Sequence, residues 1–147
     1  MQTKNFFQQL NIIWIALMAG QVIFFAVIFM VNIPPNEELK GTIELVALAL
    51  VLSTIPLSTL IYQSIIKKGL NYSVTEQLNT YRQAFIVKMA MAEGGVLVSL
   101  VAYMLSKTIW LLPLIIGGLV WQFMQAPSRK QFIEDFRVQN EQEVPQS

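Results

Sequence analysis

Four long apolar runs separated by short polar segments dominate the pattern of this chain. They cover residues 12–31, 43–64, 85–105 and 109–125, and each is close to the roughly 20 apolar residues that a membrane-spanning helix needs. The first run is longer than the apolar region of a secretory signal peptide, so it is expected to be retained as a span. We predict an all-α membrane protein, a four-transmembrane-helix bundle forming a single domain over residues 1–147, with a short cytosolic tail at 128–147.

The connecting segments carry signals for the ends and starts of helices. Pro34 and Pro35 follow the first run. Because proline is not tolerated in a helix interior, these residues predict that the first helix ends before them. Ser73 and Glu76 have the spacing of a capping box, so the third helix is expected to begin in water, before its apolar run. Pro127 predicts the end of the fourth helix.

The amino-acid composition excludes most classes of enzyme. The hydrophobic fraction is 54% and the charged fraction 13%, against about 25% charged in soluble proteins. The chain has no cysteine and no histidine, which excludes disulfides, thiolate metal sites and the commonest general base. We therefore predict no catalytic residue, no cofactor and no metal site, and no nucleic-acid partner. The chain is expected not to be an enzyme.

Basic residues concentrate on one side of the predicted bundle. Lys40 and Lys107 lie on the other side, and Lys88 lies inside the third run. Under the positive-inside rule, this asymmetry predicts a multi-pass protein with both termini and the middle loop in the cytoplasm. The residues on the rich side are Lys4, Lys67, Lys68, Arg82, Arg129, Lys130 and Arg137.

The segment 128–138 has an amphipathic pattern. Phe132, Ile133 and Phe136 share a face, with charged residues around them. One hypothesis is a helix that lies on the anionic inner leaflet. The other is a helix folded back onto the bundle, and the sequence does not choose between them.

A faint internal repeat relates the first and third runs. A shift of 74 residues aligns Ala16, Gly20, Val22, Val27 and Met30 with identical residues. This favours a duplicated helical hairpin with two parallel halves. Identities among apolar residues also arise by chance, so duplication is a hypothesis.

Glu93 is the most informative residue of the chain. A carboxylate at the bilayer centre costs roughly 2.5–3.5 kcal/mol on insertion scales, so it must be neutralised, paired or used. Other small or polar residues lie near the centres of the runs and are expected to meet it in one layer, where Gln21 can donate a hydrogen bond to it. The candidate intramembrane polar site is Glu93, Gln21, Ser53, Thr54 and Ser58, and the candidate packing glycines are Gly20, Gly94, Gly95, Gly117 and Gly118.

Two basic residues of the third helix bear on Glu93. Lys88 is five residues away, about 140° round the helix, so it cannot pair with Glu93 within that helix. Arg82 lies about 16 Å nearer the cytosol. Both are predicted to line an inner vestibule, and Glu93, without a cation alongside, is expected to keep its proton at neutral pH. Packing accounts for the glycines and hydroxyls of this layer, but it does not require a carboxyl group.

Two short stretches carry a resemblance. From Arg82-x-Ala84 through Met89-Ala90-Met91-Ala92-Glu93-Gly94-Gly95 to Gln125-Ala126-Pro127-Ser128, the chain resembles a group of small uncharacterised bacterial four-helix integral membrane proteins. The resemblance covers residues 82–138. It implies the same topology in a bacterial inner (plasma) membrane and no activity. Ala92-Glu93-Gly94 is also similar to proteolipid subunits of rotary ATPases, which carry their carboxylate on the second helix of a hairpin, whereas Glu93 is on the first.

These observations favour an accessory or structural membrane protein. Its partners are expected to be the lipid bilayer and either a second copy of the chain, forming a homo-oligomer, or another membrane protein. The alternative is a small transporter or ion-translocating subunit that uses Glu93. That role requires oligomerisation, since four helices enclose little cavity.

Overall fold

The computed structural model describes residues 5–31, 33–38 and 40–138. Over these residues the chain is all-helical and contains no strand. Three of its helices, α1, α2 and α3, are long and apolar enough to cross a membrane. In chain order the helices are α1 (Phe6–Met30), α2 (Lys40–Lys68), α3 (Val74–Ser106), α4 (Leu111–Phe123) and α5 (Arg129–Phe136).

The second and third apolar runs lie within longer helices of 29 and 33 residues. Helix α1, of 25 residues, begins before the first run and ends one residue short of its end. α3 begins at Val74, 11 residues before its apolar run. The backbone N–H and the hydroxyl of Ser73 both donate to Glu76 Oε2, at 3.0 and 2.8 Å. This contact belongs to the predicted capping box, and it stabilises the early start of α3.

The fourth apolar run forms a shorter helix than the sequence predicts. Ile109 and Trp110 lie in a turn in which the N–H of Leu112 donates to the carbonyl of Ile109 at 3.0 Å. The remaining helix, α4, has 13 residues, or about 20 Å at 1.5 Å per residue. A hydrocarbon core is about 30 Å thick. The described chain therefore has three candidate spans and one shorter apolar helix.

Two of the five predicted packing glycines lie where neighbouring helices are in close contact. A Cβ built on Gly95 of α3 would collide with Thr54 Oγ1 of α2 and lie 3.6 Å from Val51 Cα. A Cβ on Gly118 of α4 would lie 2.6 Å from Val96 Cγ2 of α3. These two glycines allow the helices to approach closely. The other three have no atom within 4 Å of such a Cβ: Gly20, Gly94 and Gly117.

Buried apolar side chains form two clusters, one towards each end of the bundle. We call the end at which α1 and α3 begin and α2 ends the basic end, because Lys67, Lys68, Arg129 and Lys130 belong to it. Its cluster includes Phe7, Leu10, Tyr62, Tyr81, Phe85, Phe132 and Phe136. The cluster at the opposite end includes Ile28, Ala47, Val96, Leu100, Leu111 and Ile115.

Helix α5 is folded back into the bundle at the basic end. Phe132 is 0% exposed and Phe136 is 4% exposed. The ring of Phe132 meets Tyr81 edge-on, with centroids 5.5 Å apart, and lies 6.2 Å from the ring of Phe7. Of the two hypotheses for this segment, the structure supports the folded-back helix. Residues 139–147 of the predicted tail lie outside the described residues.

Candidate functional site

Glu93 lies on α3 between the buried Ala92 and the exposed Gly94, and its side chain is half-buried. Within the described residues its carboxyl group forms no hydrogen bond and no ion pair. Ala90, one turn earlier on the same face, is also exposed. The carboxyl therefore lies beside an open, small-residue part of α3, where it can exchange a hydrogen bond or a proton with a group outside the described chain.

Gln21 bonds to a residue that the sequence analysis did not single out. Its Nε2 donates to Gln122 Oε1 at 2.6 Å, and both side chains are fully buried. Trp14 Nε1 donates to the backbone carbonyl of Gln122 at 3.2 Å. These contacts join α1 to α4, and the predicted hydrogen bond from Gln21 to Glu93 is not formed. Gln122 is a polar residue within the apolar helix α4, which is the signal from which its role can be inferred.

The amide pair leaves two buried polar atoms unsatisfied. Gln21 Oε1 and Gln122 Nε2 have no hydrogen-bond partner among the described residues. An unpaired polar atom in an apolar interior costs free energy. The pair therefore holds α1 on α4 through one hydrogen bond while keeping an unused acceptor and an unused donor.

Two of the three predicted hydroxyl residues of α2 donate to backbone carbonyls of the same helix. Ser58 Oγ donates to the carbonyl of Ile55 at 2.7 Å, and the exposed Ser53 donates to the carbonyl of Leu50 at 3.1 Å. Thr54 Oγ1 is buried against Gly95 without a partner among the described residues. None of the three bonds to Glu93, so the expected single polar layer is divided into separate local contacts.

Lys88 is the most buried charged group of the described chain, at 6% exposed. Its Nζ donates to Gln125 Oε1 at 2.6 Å and lies 4.8 Å from the ring centroid of Tyr62 and 5.6 Å from that of Trp121. Rings at this distance attract a cation. Lys88 is therefore enclosed by protein and does not line an open vestibule with Arg82, which is half-buried.

Asp135 brings a carboxyl from α5 to this group. The Tyr62 hydroxyl donates to Asp135 Oδ2. Burial raises the pKa of Asp135, whereas the Tyr62 hydroxyl and the positive charge of Lys88 lower it by a smaller amount. Tyr62, Lys88, Gln125 and Asp135 form what we call the Lys88 cluster, which ties α2, α3, α5 and the turn after α4 together at the basic end.

The two groups differ in what they offer chemically. Each side chain of the Lys88 cluster has a hydrogen-bond partner within the cluster, although Asp135 Oδ1 accepts no hydrogen bond there, whereas the Glu93 carboxyl has no hydrogen-bond or ionic partner among the described residues. In the described part of the chain, no group of three or more His, Cys, Asp or Glu residues is placed to hold a metal ion.

Comparison with known proteins gives no further assignment. No protein-family model, no curated protein and no solved structure matches this chain. The resemblance to small bacterial four-helix membrane proteins and the duplicated-hairpin hypothesis therefore stay predictions.

Proposed function

We propose that this chain is a small accessory or structural membrane protein that associates with a second copy of itself, or with a partner membrane protein, through the face of α3 that carries Glu93. The observation that carries this proposal is the half-buried Glu93 carboxyl, which has no hydrogen-bond or ionic partner among the described residues. The proposal includes residence in the bacterial inner membrane, with four spans and both termini cytoplasmic. In that topology α4 and its flanking turns form the fourth, short crossing.

The free energy of the Glu93 carboxyl in the membrane depends on whether another helix supplies it with a hydrogen-bond partner. A polar group facing hydrocarbon costs free energy, and this cost falls when another helix supplies a donor or acceptor. Ala90 and Gly94 lie on the same face at a spacing of four residues, and both are exposed. Small residues at this spacing allow two helix backbones to approach closely. A second α3 brings a second Glu93, and two protonated carboxyls bond reciprocally.

Energy transfer between labelled copies in liposomes tests self-association. The chain has no cysteine, so Asn71→Cys, in the exposed turn before α3, gives a single labelling position. Glu93→Leu is expected to weaken association by about 3- to 20-fold for each hydrogen bond that the carboxyl pair loses, which is the range for one hydrogen bond between membrane helices. Glu93→Gln, which keeps a donor and an acceptor, is expected to retain most of it.

Two glycines provide a matched control for the face involved. Gly94 and Gly117 both look onto open space, but only Gly94 is beside Glu93. Gly94→Leu is expected to reduce energy transfer, and Gly117→Leu is expected to leave it unchanged. Equal effects of the two substitutions, or a wild-type signal no higher than that of randomly dispersed chains, contradict self-association through this face.

A second candidate function is a small transporter or ion-translocating subunit, which the same unpaired carboxyl favours. In that case Glu93 loads and releases a proton or a cation at the interface between copies. The two functions separate in one variant. If Glu93→Gln leaves association intact but abolishes a pH- or ion-dependent flux into liposomes, the accessory function is wrong. If it alters only association or yield, the transport function is wrong.

A further inference from the structure

A cavity of about 220 Å³ lies at the basic end, between the last turn of α2 and the end of α5. Docking of α5 builds it, because Phe132 and Phe136 fix α5 on the bundle and the Tyr62 hydroxyl donates to Asp135. The cavity lies at the level of the bundle where the apolar helices end. Its walls include Gln63, Ile66, Lys67, Leu70, Asp135 and Arg137.

The walls of this cavity carry both signs of charge. Lys67 and Arg137 are exposed and take part in no ion pair or side-chain hydrogen bond within the described residues. Asp135 accepts from Tyr62 through Oδ2, which leaves its Oδ1 as an acceptor. Two cationic groups suit a phosphate, and a carboxylate suits an ammonium group that donates hydrogen bonds. The charges therefore match a zwitterion that carries a phosphate and a primary amine.

An apolar surface continues from the cavity along α2. Leu60, Gln63 and Lys67 follow one another at helix spacings of three and four residues, so they lie on one face. Leu60 is 62% exposed, and Leu57, one turn earlier, is 46% exposed. A molecule with its polar end in the cavity can therefore lay an apolar chain along this face, within the hydrocarbon of the bilayer.

We infer that this cavity binds the headgroup of an amine-bearing phospholipid, with the phosphate between Lys67 and Arg137 and the ammonium group on Asp135. The occupant is a lipid because polar and apolar surfaces adjoin at the boundary of the membrane-crossing helices. Its headgroup is a primary amine, which presents three N–H donors to the carboxylate, whereas a trimethylated ammonium cannot donate a hydrogen bond. This inference does not depend on self-association through Glu93.

Native mass spectrometry of the full chain in detergent tests the inference. The protein is mixed with phosphatidylethanolamine or phosphatidylcholine of the same acyl chains, two lipids of equal net charge. Loss of the hydrogen bonds to a charged group is expected to lower retention of phosphatidylcholine by about tenfold or more. Equal retention of the two lipids overturns the inference. This comparison uses only the wild-type chain, so a misfolded variant cannot obscure it.

Variants then test the ammonium contact and the phosphate contact of the headgroup separately. Asp135→Asn keeps an acceptor for Tyr62 and is expected to abolish the preference for phosphatidylethanolamine. The double variant Lys67→Gln/Arg137→Gln is expected to lower retention of both lipids. The matched control Lys68→Gln/Lys130→Gln changes net charge equally but alters no wall of the cavity, and it is expected to retain lipid. Equal losses in the two double variants mean diffuse electrostatic attraction and overturn the inference.

Discussion

Gly94 and Gly95 are adjacent on α3 and indistinguishable by sequence pattern, but they are predicted to respond differently to the same substitution. A Cβ on Gly95 meets Thr54 Oγ1 and the backbone of Val51, whereas a Cβ on Gly94 meets nothing within 4 Å. Gly95→Ala therefore inserts a methyl group into the contact between α2 and α3. Gly94→Ala places the same group on the open face.

Two effects of the added methyl group determine how the free energies of unfolding of the two variants differ. Alanine gains about 1 kcal/mol over glycine from helix propensity, and this gain is common to the two neighbours. Overpacking a tight contact costs about 1–3 kcal/mol, and this cost applies only at Gly95. We expect the free energies of unfolding of the two variants to differ by about 1–3 kcal/mol, with Gly95→Ala the less stable.

Reversible unfolding in mixed micelles, titrated with a denaturing detergent, measures this difference. The protein is diluted until it is monomeric, so that association through Gly94 does not contribute. Thr54→Ala removes the oxygen that the new methyl meets, and in that background the difference is expected to fall below about 0.5 kcal/mol. Equal stabilities of Gly94→Ala and Gly95→Ala in the wild-type background would refute the packing of α2 on α3 described above.

Three further predictions concern the polar contacts. Gln122→Leu leaves the Gln21 amide buried and unpaired, so it is expected to lower the free energy of unfolding by about 0.6–1.7 kcal/mol; the double variant with Gln21→Leu should cost less than the sum of the single variants. Tyr62→Phe removes the hydroxyl that donates to Asp135, and hydrogen exchange of the α5 amides should accelerate by about tenfold or more. Because burial raises the pKa of Asp135, docked α5 binds that proton more tightly than undocked α5. Protection factors in α5 should therefore rise as the pH falls through the raised pKa and level off below about 3.9, and Asp135→Asn should remove this dependence.

The helical class and the three long apolar helices could be predicted from the sequence because hydropathy and capping are local properties. The apolar runs and the spacing of Ser73 and Glu76 specify where helices form, whatever the tertiary packing. The length of the fourth helix could not be predicted in this way. Ile109 and Trp110 are as apolar as the helix that follows, but their backbone forms a turn.

The contacts of the candidate site were less predictable. Glu93 stands out in any apolar run, and its separation from Lys88 follows from helix geometry. The partner of Gln21 is 101 residues away, and the partner of Tyr62 is 73 residues away. Such pairs depend on which sides of two helices meet. In helices that are apolar on all sides, hydropathy does not identify that side.

The central claim is that the Glu93 carboxyl is unpartnered in one chain and covered when chains associate. Labelling with a hydrophobic carbodiimide tests this claim most directly, because the reagent attacks protonated carboxyls in apolar surroundings. The intact mass of the labelled protein is measured over a series of protein-to-lipid ratios. We expect one label at high dilution, loss of that label as the chains are concentrated, and none at any ratio in Glu93→Gln. Labelling that does not change with dilution, or its absence even in dilute wild-type protein, would contradict the account.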